Sequence, residues 1–265
     1  MLQSIQQDLP SPAASGNALR ACIVCGGSAS HLFTAKDYEH GVPGEWTLAR
    51  CDSCGLVYQD PLPKPSDLAG FYPPGYSAYN SDTFISYLFR MIYALDAKRI
   101  AGLVEAHARV LDVGCGNGSM LMALKQLGDF DLSGVEIDPT AAQRARDRGF
   151  SVYTGELTDA DLPEASFDLI RMGHMIEHVC DPVAVLRRAF RLLKPNGILF
   201  GETPNIDCLD FRIFGRYWGA LHVPRHVILF DDVNLRRALA DAGFESVRTS
   251  WGLRTVGWSA GIQNL

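Results

Sequence analysis

The stretch Val110-Leu-Asp-Val-Gly-Cys-Gly-Asn-Gly118 constrains this chain more than any other. A short apolar run that ends in alternating glycines, ahead of a helical pattern over Ser119 to Leu127, reads as a buried parallel strand and a close-approach loop. Glycine adopts backbone conformations denied to other residues and lets amides reach a ligand before the next helix begins. In an open parallel sheet, ligands sit at the carboxyl ends of the strands, near the point where strand order reverses. Glu136 follows about 20 residues on, at the end of the next expected strand, where a carboxylate can accept hydrogen bonds from ribose hydroxyls. The loop is therefore a site for a nucleoside-containing ligand.

The rest of the chain repeats that unit. Leu132 to Ile137 reads as a strand, and Pro139 to Arg148 as a helix closed by Gly149. Ser151 to Tyr153 and Phe167 to Met172 are further strands. Asp181-Pro182 supplies a cap and a first-turn proline to a helix whose apolar face is Val185, Leu186, Ala189, Leu192 and Leu193, ended by Pro195-Asn196-Gly197. Ile198 to Gly201 is a fifth strand. Asp231 or Asp232 caps a last helix that carries Leu235, Ala238, Leu239 and Ala242 and stops at Gly243. Strand and helix alternating at these lengths predict an α/β fold, a doubly wound and mostly parallel sheet.

Two cysteine pairs, Cys22/Cys25 and Cys51/Cys54, each precede a glycine. Paired CxxC knuckles are the pattern of a four-thiolate metal site, closed and therefore structural. Zinc suits that ligand set, and iron in a rubredoxin-like cage is the alternative it leaves open. A disulfide reading requires an oxidising compartment, for which the sequence offers no export signal. Cys115, Cys180 and Cys208 are scattered single thiols with no assigned chemistry.

Organisation follows from these segments. Residues 1–20, rich in Ser, Pro, Ala and Gln, read as a disordered tail, and 21–58 as a metal ribbon with strands at Trp46 to Arg50 and Leu56 to Tyr58. Residues 59–82 form a Pro- and Tyr-rich connector whose Tyr72, Tyr76 and Tyr79 either line a cleft or staple the linker to a surface. The larger domain occupies 83–265 and opens with a helix from Thr83 to about Ala106. A net charge of −6 argues against a nucleic-acid partner, which needs a basic footprint. No apolar run reaches the roughly 18 to 20 residues of a membrane span. No Lys or Arg precedes Arg20 and no apolar core of a signal peptide is present, so a cytoplasmic location is expected.

The glycine loop is G-x-G-x-G with an aspartate two residues ahead, not the dinucleotide G-x-G-x-x-G. It resembles the first motif of class I S-adenosylmethionine-dependent methyltransferases. Gly134-Val-Glu-Ile-Asp138 is similar to their second motif, and Gly155-Glu156-Leu157 with Phe167-Asp168 to their third and fourth. Met175-Ile-Glu-His-Val-Cys-Asp-Pro182 and Leu193-Lys-Pro-Asn-Gly197 complete the order. The resemblance implies a Rossmann-like fold and S-adenosylmethionine as cofactor. It implies that Asp112, Gly114, Gly116 and Gly118 hold the methionine end, Glu136 the ribose, Ile137 the adenine face and Glu156 the adenine amino group. With its ribbon and connector, the whole chain resembles a bacterial zinc-ribbon group that includes sugar C-methyltransferases, implying a small-molecule or sugar-linked substrate.

Methyl transfer from a sulfonium needs alignment and, for a hydroxyl or carbon acid, a base. Four histidines follow the fourth and fifth strands, and histidine is the default base at neutral pH. His174 and Glu177-His178 follow the fourth strand. By resemblance to quinone O-methyltransferases the Glu-His pair helps hold a divalent ion; the plainer reading is that it orients the next helix. His226 falls where the sugar C-methyltransferases carry a catalytic histidine after a glutamate, but Arg225 stands in the preceding position. That departure weakens the case for carbon deprotonation and offers Arg225 as a grip for an anionic substrate. Class I domains end in an antiparallel strand pair, and Glu245 to Ser250 followed by the glycine-broken Trp251 to Leu265 is short for one. Two rivals stand beside the methyltransferase: a cofactor-binding scaffold whose ribbon recruits a partner, and an NAD-dependent redox enzyme.

Overall fold

A computed structural model describes residues 19–72 and 84–250. The expected tail before residue 19, Tyr76, Tyr79 and the final segment from Trp251 lie outside them. Three N-terminal strands, β1 (Ala29–Ala35), β2 (Trp46–Cys51) and β3 (Val57–Gln59), lead into the short α1 (Pro65–Leu68). The long α2 (Phe84–Ala101) then precedes five strands and three helices: β4 (Arg109–Val113), α3 (Ser119–Lys125), β5 (Asp131–Glu136), α4 (Pro139–Asp147), β6 (Ser151–Thr154), β7 (Phe167–Gly173), α5 (Pro182–Leu192) and β8 (Leu193–Glu202). The chain continues through α6 (Leu209–Phe214), β9 (Ile228–Leu229) and α7 (Asp232–Ala242). Among the described residues no helix is long and apolar enough to cross a membrane.

The larger sheet has the order β6-β5-β4-β7-β8, and every pairing in it is parallel. Strand order reverses beside β4, which places the crevice at the end of β4 that carries the glycines. Residues 244–250 follow α7 without joining this sheet, so the described sheet lacks the antiparallel edge that class I domains add. The helix caps follow the sequence: Asp138 accepts from Thr140 N, Asp181 from Ala184 N, and Asp231 forms a reciprocal capping box with Asn234. Two boundaries differ most: the long helix stops at Ala101 rather than about Ala106, and the turn expected at Pro195-Asn196-Gly197 is strand. Leu193 to Gly197 joins β8 rather than a turn, because Leu193 pairs with Phe167 before a register shift passes to Leu169 and Ile198.

The smaller sheet has the order β1-β2-β3-β9. Three strands come from the N-terminal segment and the fourth from a loop far along the chain: Val57 pairs with Leu229 and Tyr58 with Ile228. Gln59, buried, donates its side-chain amide to the carbonyls of Pro224 and His226. The core beneath is shared. Leu56, Tyr58, Val227, Ile228 and Phe230 pack with Leu111, Ile170 and Leu186 of the parallel sheet and its helix. Strand β1 has no counterpart in the sequence reading, since Ala29 to Ala35 alternates too weakly to stand out.

Candidate active site and metal centre

The four cysteines converge. Their sulfurs lie within 4.8 Å of one another, with Cys22 Sγ 3.6 Å from Cys54 Sγ and Cys25 Sγ 3.4 Å from Cys51 Sγ, and none is in a disulfide. A tetrahedral zinc with Zn–S bonds near 2.3 Å requires sulfurs about 3.8 Å apart, which this cage approaches. The two knuckles repeat one design. Cys22 N donates to Gly27 O and Cys51 N to Leu56 O, while Gly26 N and Gly55 N turn back onto the carbonyls of Cys22 and Cys51. Both glycines need positive φ, 71° and 80°, to make that turn. Backbone amides of Gly27, Ser53 and Cys54 point at the sulfurs, which favours thiolate. The donor set and its geometry fit a structural zinc.

The glycine loop shows why alternate positions matter. Gly114, Gly116 and Gly118 all have positive φ. A Cβ on Gly114 would come 3.1 Å from Met175, and one on Gly118 3.1 Å from Ala145, so side chains there would crowd the residues packed against the loop. Glu136 closes it from β5: one carboxylate oxygen accepts from Gly116 N at 2.7 Å and the other from Asp138 N at 2.9 Å. Burial raises its pKa, against the lowering pull of those amides. An ionised carboxylate has about four lone-pair sites, leaving room for two hydroxyl donors. Ile137 is 58% exposed beside it, an apolar face without a cover among the described residues. Glu156 stands half-buried after β6, the strand paired with β5. Asp112 is fully buried one strand position before the loop and accepts from Arg171 Nη1 at 2.8 Å. These residues fit S-adenosylmethionine by donor chemistry and by a loop conformation, positive φ at all three glycines, that favours glycine.

Beyond β7 the sequence-picked histidines gather around Glu177. This carboxylate is wholly buried and accepts from Thr203 Oγ1 at 3.0 Å. His174 Nδ1 lies 3.3 Å from its Oε1 and His226 Nε2 3.9 Å. Burial raises the Glu177 pKa, but its histidine neighbours outweigh that and leave it lowered. His178 Nδ1 lies 3.0 Å from the Arg225 carbonyl and 3.2 Å from the Tyr72 hydroxyl, and His226 Nδ1 lies 2.9 Å from the Ala220 carbonyl. A carbonyl only accepts, so both rings carry their proton on Nδ1 and present Nε2 as a base. Burial lowers both pKa values, that of His226 well below the ordinary histidine range, with His178 and His222 adding to the effect. Glu177, His178 and His226 bring one donor atom each within 4.8 Å of one another. The Glu177 carbonyl also accepts from Val227 N, so this turn is stitched to the segment that leads into β9.

Arg225 is not the substrate grip its position suggested. Its guanidinium is fully buried and makes two hydrogen bonds to Asp37, at 2.8 and 2.9 Å, and one to the Phe71 carbonyl. Its Nε donates to His222, which in turn pairs with Glu39. Asp37, Arg171 and Thr203 have no place in the sequence reading. Arg171 left a signal, a charge inside an apolar strand; Asp37, in an ordinary polar turn, left none.

A parallel five-stranded sheet in this order, with a glycine cradle after its first strand and an acid after its second, defines the class I, Rossmann-like methyltransferase fold. A sequence model of the methyltransferase domain matches residues 86–249, and the chain belongs to that family. Among curated relatives, a ubiquinone biosynthesis O-methyltransferase of Xanthomonas oryzae pv. oryzae is 36% identical over 126 residues, 43% of this chain and 52% of the relative. One from Azorhizobium caulinodans is 29% identical over 210 residues, 75% of this chain and 79% of the relative. The chain spans about half the length of the first of these. Among solved structures, a SAM-dependent methyltransferase from Thermotoga maritima aligns with TM-score 0.50 and 26% identity over 60% of this chain and 75% of that one. Another from Archaeoglobus fulgidus shares the fold, at TM-score 0.52 and 23% identity over 60% and 71%.

Proposed function

We propose that the protein transfers a methyl group from S-adenosylmethionine to an oxygen of a small molecule, with His174 as the proton acceptor. The observation that carries this reading is the His174–Glu177 pair at the carboxyl end of β7. Met175, the next residue, packs where Gly114 opens the cofactor loop. Three arguments support the arrangement. The His174 side chain is 48% exposed, whereas that of His226 is 9% exposed, so His174 presents an accessible nitrogen. Glu177, buried and ionised, lies 3.3 Å from Nδ1 of that ring and stabilises the imidazolium that forms. Relatives named as O-methyltransferases favour an oxygen acceptor.

S-adenosylmethionine, when bound, supplies an activated methyl group. Asp112, Glu136, Ile137, Glu156 and the three loop glycines are the residues that hold it in this reading. The Arg225 carbonyl and Tyr72 fix His178, and His226 backs the same carboxylate from behind. The four cysteines hold a structural zinc that sets the ribbon against the acceptor side. In this division, 21–58 is the ribbon, 59–82 the connector and 83–265 the catalytic domain. Sugar conjugates remain within the small-molecule class, since the ribbon arrangement rather than any contact suggested them.

The test is calorimetric titration with S-adenosylhomocysteine, repeated with Glu136→Ala. Expected is tight binding to the wild type, weakened at least about tenfold by loss of a charge-assisted contact. No binding by a folded, metal-loaded protein would remove the enzyme reading and favour a scaffold. Binding of a nicotinamide nucleotide instead would favour redox chemistry.

A further inference from the structure

The ends of β7 and β8 lie side by side, with Gly173 opposite Glu202 in the parallel register. The next residue on each strand enters the acceptor side. His174 takes a left-handed backbone, φ 51°, which a non-glycine residue rarely adopts, and its amide donates to the Glu202 carbonyl at 2.8 Å. Thr203, the first residue beyond β8, donates its hydroxyl to Glu177 Oε2 at 3.0 Å. One strand end therefore holds both the backbone of His174 and the side chain of Glu177.

The second contact fixes an angle that burial alone leaves open. The last torsion of a glutamate is broad and roughly two-fold, so a buried carboxylate can still turn in its plane. A donor on one oxygen stops it. With Oε2 on Thr203, Oε1 lies 3.3 Å from His174 Nδ1 and 3.9 Å from His226 Nε2. His226 spends its ring proton on the Ala220 carbonyl through Nδ1, so its Nε2 carries a lone pair and offers Oε1 no donor. His174 Nδ1 is then the nearby nitrogen able to bring a proton to Oε1. Thr203 suits the task, because branching at Cβ restricts its rotamers and holds the hydroxyl in place.

We propose that Thr203 is a positioning residue of the acceptor site. Its hydroxyl sets the carboxylate plane of Glu177, so that His174 keeps its proton on Nδ1 and presents a bare Nε2 as the base. Thr203 acts through Glu177 and touches neither the cofactor nor the reacting atoms. This rests on the reading of His174 as the proton acceptor, and adds to it the residue that selects the ring tautomer.

The experiment is nitrogen NMR of the histidine rings in the full chain, at about pH 8, where imidazoles are neutral. Protonated and bare ring nitrogens resonate far apart, and His174→Gln assigns the His174 signals by their loss. The wild type is expected to carry the His174 proton on Nδ1, against the Nε2 preference of a free ring. Thr203→Val keeps the shape, removes the hydroxyl and should give a mixture of the two tautomers. Thr203→Ser returns the hydroxyl and should restore the wild-type state. His178 and His226, fixed by backbone carbonyls, should keep Nδ1–H in every variant, which a general disturbance of the site would not allow. Thr203→Ala serves the same comparison if Thr203→Val does not fold. An unchanged His174 tautomer in the hydroxyl-less variant, equal loss at all three rings, or a wild type with its proton on Nε2 overturns the assignment. No cofactor or acceptor is needed, so the two readings fail separately: normal methyl transfer by His174→Ala would remove the base and leave the tautomer result standing.

Discussion

Asp37 and Arg225, nearly 190 positions apart in the chain, form a two-point ion pair whose side chains are 1% and 0% exposed. Asp37 sits in a polar turn of the N-terminal segment, where its oxygens also accept the amides of Glu39, His40 and Val42. Arg225 belongs to the loop that carries His222 and His226. The N-terminal segment is thereby fastened to the loop before β9 by a buried two-point bond that tolerates little movement.

Removing one member of a buried pair strands the other charge. Asp37→Ala is expected to destabilise the protein by about 3 to 5 kcal/mol, while a double replacement by apolar residues recovers most of that loss. Urea denaturation of the three proteins decides it. A single variant as stable as wild type would refute the fastening role.

Asp37 also sets an acid limit. Arg225 and the turn amides outweigh burial and hold its carboxyl at about 2, below the unfolded value near 3.9. A depressed carboxylate stabilises the fold above the unfolded pKa and loses that contribution as pH falls through the folded one. Stability should drop between roughly pH 4 and 2 in the wild type, less steeply in Asp37→Asn. Parallel acid titrations of the two would contradict this.

His178 and His226 act in a higher window. Both are held neutral by burial, with folded pKa values below 6.5. Between those values and 6.5 the unfolded chain binds more protons, so stability rises with pH there and levels off above it. Each group contributes a slope up to about 1.4 kcal/mol per pH unit. The check is unfolding free energy from pH 5 to 7.5; a flat profile counts against buried neutral rings.

Metal removal should be felt far from the cysteines. On the proposed zinc reading, a chelator is expected to lower the melting temperature and to speed amide exchange at Ile228 and Leu229, because their partners are Tyr58 and Val57. Hydrogen exchange read by mass spectrometry reports this directly. Unaltered exchange over 226–230 would mean that the ribbon folds without the ion.

The two candidate bases separate kinetically. His174→Ala should lower kcat about 10²- to 10⁴-fold with little change in stability. His226→Ala, which removes a buried ring packed on His178 at 4.7 Å, should cost stability more than turnover. If His174→Ala turns over normally while His226→Ala does not, the assignments are reversed.

Much of the parallel sheet was legible because its signals are local. Glycines, capping aspartates and apolar runs announce Arg109–Val113, Pro139–Asp147 and Pro182–Leu192 almost to the residue. The cysteine cage was legible for the same reason. What stayed hidden depends on partners remote in sequence. The role of Arg225 could not be read without Asp37, and a glutamate does reach His226, but it is Glu177 from another loop. Ala29–Ala35 became a strand only because Trp46–Cys51 offered it an edge.

The pairing of Val57 and Tyr58 with Leu229 and Ile228 has a consequence for biosynthesis. On the ribosome the ribbon emerges first, yet its outer strand can find its neighbour only after some 170 further residues have been made. At about 5 to 20 residues per second, that edge waits roughly 10 to 30 s with its amides and carbonyls unmatched. Over that interval the nascent chain carries a sticky border that a second nascent chain could seize. A metal ion bound early at the four cysteines, as proposed, would rigidify the waiting strands before their partner is made.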